Sequence, residues 1–197
     1  MIKVRIAVVA ALALALVTQA GCVLSLQPFY TKESIVAPIK LAGKWRRLDR
    51  DGNTDNGDIW AFDGERVVAY DDRGRWRAFK VTWFRVDGQL YADTYPDELQ
   101  NEPSTSEAYW FFHHLPFHMV SRVEDAGDRL LVTPLTYSGF NEVTADAPVA
   151  DWTVEVQEQT AVLNATPANW TDFLKRYGHD PKVFVKDWQI TFVPMEE

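Results

Sequence analysis

Residues 75–94 read RWRAFKVTWFRVDGQLYADT. Two β-rich runs, 75–86 and 89–94, flank the pair Asp87-Gly88. Asp-Gly is a tight-turn pair, because both residues tolerate the backbone angles that a two-residue hairpin loop demands. The stretch therefore predicts a hairpin. Outward from it the same pattern recurs. Short β-rich or alternating runs stand at 43–49, 57–63 and 65–71 on one side. On the other they stand at 107–112, 117–124, 128–135, 152–163 and 184–193. Asp63-Gly64 and Gly127-Asp128 are further tight turns, and Asp72-Arg73-Gly74 is a slightly longer loop. Trp152, Val154 and Val156 share one strand face, as do Phe184, Trp188, Ile190 and Phe192. Such strands are antiparallel and half-buried, polar outside and apolar inside. The stretches 95–106 and 137–150, richer in Pro, Asp and Ala, read as loops.

One helix interrupts the strands. Thr166 is an N-cap candidate and Pro167 suits the first helical position. Trp170, Phe173, Leu174 and Tyr177 then follow the 3.6-residue period as one apolar stripe. Lys175 and Arg176 lie in the last turn and Gly178 ends it, giving a helix over 166–178. Meandering strands, one late helix and a last strand predict a mainly β domain. Its form is a single antiparallel β-barrel, or a sandwich, with one late α-helix. Gly43-Lys44-Trp45 at the start of the first strand resembles the G-x-W of lipocalins, and so does the placing of the helix. That resemblance implies the closed barrel.

Ahead of the strands lies a different kind of sequence. Lys3 and Arg5 precede 12 consecutive apolar residues, Ile6 to Val17. A membrane-spanning helix needs about 20, whereas a run of 12 suits a secretory signal peptide. Thr18-Gln19-Ala20-Gly21-Cys22 follows and resembles the lipobox of bacterial lipoproteins, with Gln19 where that family usually has Leu. The resemblance implies cleavage before Cys22 and acyl chains on it. Without lipid, the same residues read as a plain secretory peptide cut near Ala20, or as an uncleaved anchor. Cys22 is the single cysteine, so no internal disulfide can form. The expected organisation is a lipoprotein signal peptide at 1–21, a lipidated tether at 22–42 and a β-rich globular domain at 43–197. Val23, rather than Asp, follows the cysteine, and resemblance to Gram-negative sorting rules then implies the outer membrane. Two further stretches look like a family of uncharacterised bacterial lipoproteins. They are Ser25-Leu26-Gln27-Pro28-Phe29-Tyr30-Thr31 and His114-Leu115-Pro116-Phe117-His118. That family carries no catalytic residue over.

The chain has 197 residues, enough for one domain and hardly for two. A net charge of -8, with no basic tract, argues against nucleic acid as a partner. Removing Lys3 and Arg5 takes the charge from -8 to -10, which disfavours contact of the body with anionic headgroups.

Several constellations invite chemistry. His114 and His118 are four apart, the spacing of two zinc ligands on a helix, but Pro116 between them disfavours a helix. On a strand they share a face about 13 Å apart, too far for one metal. They read first as histidines that hold a turn, and second as a metal or acid–base pair. Starting at Asp51, the loop has Asp51, Asn53 and Asp55 at calcium-loop spacing, but Asn56 and Phe62 stand where that motif needs Gly and Glu. A polar loop between strands is the expectation. Asp93, Asp97, Glu98 and Glu102 cluster, and a pair for glycoside hydrolysis could be drawn from them, although solvated loop residues are the plainer reading. Ser104, Ser106, Ser121 and Ser138 lack a nucleophile signature. Trp60, Trp76, Trp83, Trp110 and Trp152 either line a ligand cavity or fill the barrel as core.

The expected function is thus that of a lipid-anchored envelope protein binding an apolar or amphipathic small molecule, with no cofactor, metal or enzyme activity. The alternative is a structural or assembly accessory that contacts another envelope protein.

Overall fold

The computed structural model describes residues 21, 23–37, 41–49, 52–54, 58–70, 76–97, 117–145, 154–157 and 160–195, with 154–157 and 160 described by their backbone. Eight strands close into a barrel: β2 (Gly43–Arg47), β3 (Ile59–Phe62), β4 (Arg66–Tyr70), β5 (Trp76–Val86), β6 (Gln89–Pro96), β7 (Met119–Asp125), β8 (Leu130–Pro134) and β11 (Ile190–Pro194). Every pair in it is antiparallel. The last strand seals the cylinder, with Phe192 opposite Leu130 on β8 and Arg47 on β2. Closure leaves no unpaired sheet edge along the meander. The domain is a lipocalin-like single barrel. Asp87 and Gly88 both have positive φ, 48° and 79°, as the mirror-image hairpin turn between β5 and β6 requires.

Register decides which side chains face inward, because residues paired across strands share a face. Trp45 pairs with Trp60, Phe62 with Val67, Trp83 with Ala92 and Leu90 with Val123, and all eight point into the barrel. Trp60, Phe62 and Phe192 form an aromatic cluster there, with Trp60 and Phe192 4.9 Å apart. Two indole N–H groups help close one end. Trp45 Nε1 donates to the Leu41 carbonyl at 3.0 Å, and Trp83 Nε1 to the Gly64 carbonyl at 2.8 Å. Among the described residues, the inward side chains form one apolar cluster.

A second core lies on the outside. Phe84, Val86, Tyr91 and Val120 face away from the barrel axis on β5, β6 and β7. Helices α1 (Tyr137–Thr144) and α2 (Pro167–Tyr177) and a three-stranded sheet cover them. That sheet joins β1 (Val23–Ser25), parallel to β10 (Thr160–Leu163), which is antiparallel to β9 (Val154–Gln157). The α2 stripe does what its period requires: Trp170, Phe173 and Leu174 are all buried. Thr166 caps the helix by accepting the Asn169 N–H at 3.2 Å.

Four readings need correction. The stretch 22–42 is no free tether over its described residues, because Val23, Leu24, Phe29 and Leu41 are buried in the folded body. The run 152–163 is not one strand; its described part is the hairpin β9–β10, with Thr160 opposite Gln157. The 137–150 stretch begins with a helix, α1, whose N-cap Thr136 accepts the Gly139 N–H. The run 184–193 is broken by a 3-10 turn at Lys186–Trp188, so Phe184 joins the outer core and Trp188 is exposed, while Ile190 and Phe192 stay on the strand. Gly178 ends α2 as expected, in right-handed geometry; a Cβ there would overlap the Tyr91 hydroxyl and the Leu174 carbonyl oxygen, so close approach is what calls for glycine. The run 107–112 lies outside the described residues.

Candidate functional site

Residues 23–37 cross the outer wall of the barrel as an arm. Ser25 and His118 exchange two backbone hydrogen bonds, of 3.0 and 2.8 Å. The Phe29 N–H donates to Asp93 Oδ2 at 2.9 Å, and the Thr82 hydroxyl donates to the Tyr30 hydroxyl oxygen at 3.4 Å. Val36 N–H then donates to the Trp83 carbonyl at 2.9 Å. The arm therefore passes the start of β7, then β6, then β5, held at each by a polar contact. Trp170 Nε1 donates to the Ser25 hydroxyl at 2.9 Å, and the Trp170 ring lies 4.2 Å from that of Phe29, so α2 clamps the arm from above.

Two clefts open between arm and wall. One, of about 620 Å³, runs between Ile35–Ala37 and the β4–β5 wall at Lys80–Trp83, past the Gly64–Arg66 turn. The other, of about 440 Å³, has Leu26 and Tyr30 of the arm on one side and Lys80 and Thr82 of β5 on the other. Asp93 and Tyr95 of β6 form its floor with His118. Register accounts for this convergence, since Thr82 pairs with Asp93 and both face outward.

The smaller cleft holds a polar device of a built kind. Asp93 is almost wholly buried, and each of its oxygens is engaged, Oδ2 by the Phe29 N–H and Oδ1 by His118 Nδ1 at 2.8 Å. Burial pushes the Asp93 carboxyl up, against the hydrogen bond and charge of His118 and the Phe29 N–H, which pull it down. The His118 ring lies against Tyr95, with centroids 4.7 Å apart. A carboxylate on Nδ1 fixes the ring and sets what Nε2 can do in the cleft.

The residues singled out in the sequence distribute as follows. His118 pairs with Asp93 and, through its backbone, with Ser25; His114 lies outside the described residues. Asp97 turns to Arg66 at 2.9 Å, so it forms no pair with Asp93, and Glu98 and Glu102 lie outside the described residues. Asp49 accepts the Asn53 N–H at 2.8 Å, as a self-satisfied polar loop does, while Asp51 and Asp55 lie outside the described residues. Among the described residues no group of three His, Cys, Asp or Glu side chains could hold a metal ion. Trp60 and Trp83 are interior, whereas Trp76, paired with Tyr70, lies on the outward register and cannot share their lining. Trp60 Nε1 is buried without a hydrogen-bond partner among the described residues. Trp110, Trp152 and Cys22 lie outside the described residues. On either side of Cys22 the chain is fixed, with the Gly21 carbonyl accepting the Tyr137 N–H at 2.8 Å and Val23 opening β1. No helix among the described residues is long and apolar enough to cross a membrane.

Sequence reasoning missed the joining of Asp93 to His118. The available signal was weak: Asp93 is a charge in the middle of a β-rich run, where a burial partner is needed. No family model, curated protein or solved structure matches the chain.

Proposed function

We propose that the chain is a lipid-anchored protein of the bacterial cell envelope that binds a small amphipathic molecule. Its membrane partner is the bilayer itself, through acyl chains on Cys22, most simply at the outer membrane facing the periplasm. The signal-like residues 1–21 and the lipobox resemblance support the anchor. The observation that carries the binding reading is the cleft of about 440 Å³ between the arm and β5–β6. It has the size of small-molecule sites, and its lining mixes Leu26 and the rings of Tyr30 and Tyr95 with Lys80, Thr82, Asp93 and His118. On this reading the binding place is this cleft, outside the barrel lumen in which Trp60, Phe62, Trp83 and Phe192 cluster. Leu26, 46% exposed at the cleft, stands four residues after Cys22, so a bound molecule would sit close to the bilayer surface.

Two measurements test the reading. Cys22→Ala should move the protein to the soluble fraction or leave an unprocessed precursor; a fully processed variant that still sediments with membranes refutes the anchor. Native mass spectrometry of protein extracted from its own membrane should show mass beyond the acylated chain. A mass equal to the acylated chain alone refutes binding. It would favour the second reading, a structural accessory contacting another envelope protein.

A further inference from the structure

The smaller cleft has a definite polarity, which follows from how the Asp93–His118 pair holds its protons. Suppose the pair carries no net charge. Either the carboxyl is protonated and donates to Nδ1, or the carboxylate accepts from Nδ1 of an imidazolium. In both forms Nε2 bears a hydrogen, since a neutral imidazole that accepts at one nitrogen donates at the other. Only a pair with net charge -1 would put an acceptor at Nε2. Burying that charge is costly, because Asp93 is almost wholly buried and, among the described residues, His118 is the basic side chain in contact with it. The upward push of burial on the Asp93 carboxyl acts in the same direction. Lys80 adds an ammonium group to the lining, and the Tyr30 hydroxyl, which accepts from Thr82, keeps its own hydrogen to donate. Among the described lining residues His118 Nε2, Lys80 and Tyr30 thus offer donors, while Leu26 gives the cleft an apolar lip.

We propose that the cleft binds the anionic head, carboxylate or phosphate, of a single-chain amphiphile, with His118 Nε2–H and the Lys80 ammonium as the selecting donors. This rests on the binding reading above and adds to it the sign of the ligand.

The test is calorimetric titration of the full acylated chain in phosphatidylcholine nanodiscs, with empty discs subtracted. The probes are octanoate, octyl phosphate, octanol, octylamine and acetate. Octanoate and octyl phosphate should bind at least tenfold more tightly than octanol, octylamine or acetate. His118→Asn keeps a donor for Asp93 in the place of Nδ1 and deletes Nε2; Lys80→Ala removes an exposed charge without touching the core. Each should weaken octanoate about five- to tenfold and leave octanol unchanged. Octanol binding as tightly as octanoate, or octanoate binding unaltered in both variants, overturns the anion claim and leaves the binding reading standing. Acetate binding as tightly as octanoate overturns the amphiphile. Failure of every probe to bind overturns both readings.

Discussion

The Asp93 carboxyl group ties three parts of the chain to one point: β6, the arm through the Phe29 N–H, and the approach to β7 through His118. Its loss leaves the buried Phe29 N–H and the half-buried His118 Nδ1 without this partner. Asp93→Ala should cost about 2–6 kcal/mol, since each unsatisfied buried polar group costs about 1–3 kcal/mol. Protonation adds a signature of its own. Burial holds the folded-state carboxyl above its unfolded value, so over that interval the folded chain keeps a proton that the unfolded chain has released. Stability attributable to Asp93 therefore falls as pH rises from about 4, the ordinary carboxylate value, towards the raised one. Asp93→Asn should lack this fall. Denaturant midpoints of both proteins between pH 4 and 7 check it; parallel curves would remove Asp93 as the source. In the sequence, Asp93 and His118 looked like members of two unrelated groups, a carboxylate cluster and a histidine pair. They meet because β6 and β7 pair across the intervening segment 97–117, with Asp93 opposite Val120. Nothing local to either residue encodes that register.

Among the elements, α2 was the most legible. Cap, first-turn proline and apolar stripe are all local signals, and they agree with the packing. Its Phe173 is buried, with ring centroids 5.3 Å from Phe140 and 5.8 Å from Trp170. Phe173→Ala should therefore destabilise the domain by about 3–5 kcal/mol, as truncation of a core aromatic does. Lys175→Ala, on the exposed side, should stay within about 0.5 kcal/mol. Chemical denaturation of the two variants separates them; equal small losses would mean that α2 does not pack as described. Helix α1 was illegible for the opposite reason. Its residues YSGFNEVT include Gly139 and few strong helix formers, so local propensity argues against it. Tertiary contact overrides propensity: Phe140 inserts beside Trp170 and Phe173, and Gly139 lies so close to the Lys182 carbonyl oxygen that a Cβ would overlap it. The barrel strands were read almost throughout, because alternation and turn pairs repeat along the meander. Alternation also misled at 184–193, where a 3-10 turn holds Trp188 outside the strand.

At the scale of the molecule, the arm sets where the folded body begins. Val23, Leu24 and Phe29 are each buried to within a percent or so. At about 1.5–3 kcal/mol for each buried side chain, their removal forfeits roughly 6 kcal/mol. Whole domains are stable by only about 5–15 kcal/mol. A chain beginning at Gly43 should therefore be unfolded or molten, whereas one beginning at Val23 should melt in a single cooperative step. Circular dichroism melts decide, and a cooperative transition of the shorter chain at an unchanged temperature would show that the arm is dispensable. The arm escaped sequence reading because Pro28 and Pro38 and the weak alternation between them suit a linker as well as a segment pinned to a wall.

The reach of two contacts fixes when this protein can fold. Ser25 must wait for Trp170, 145 residues downstream, and β2 has no second neighbour until Pro194 pairs with Trp45. Neither partner exists while the first half of the chain is emerging. Such dependence on distant pairings slows closure, although consecutive strands such as β3 and β4 can pair as soon as both are made. The barrel therefore cannot close until almost the whole chain has been made.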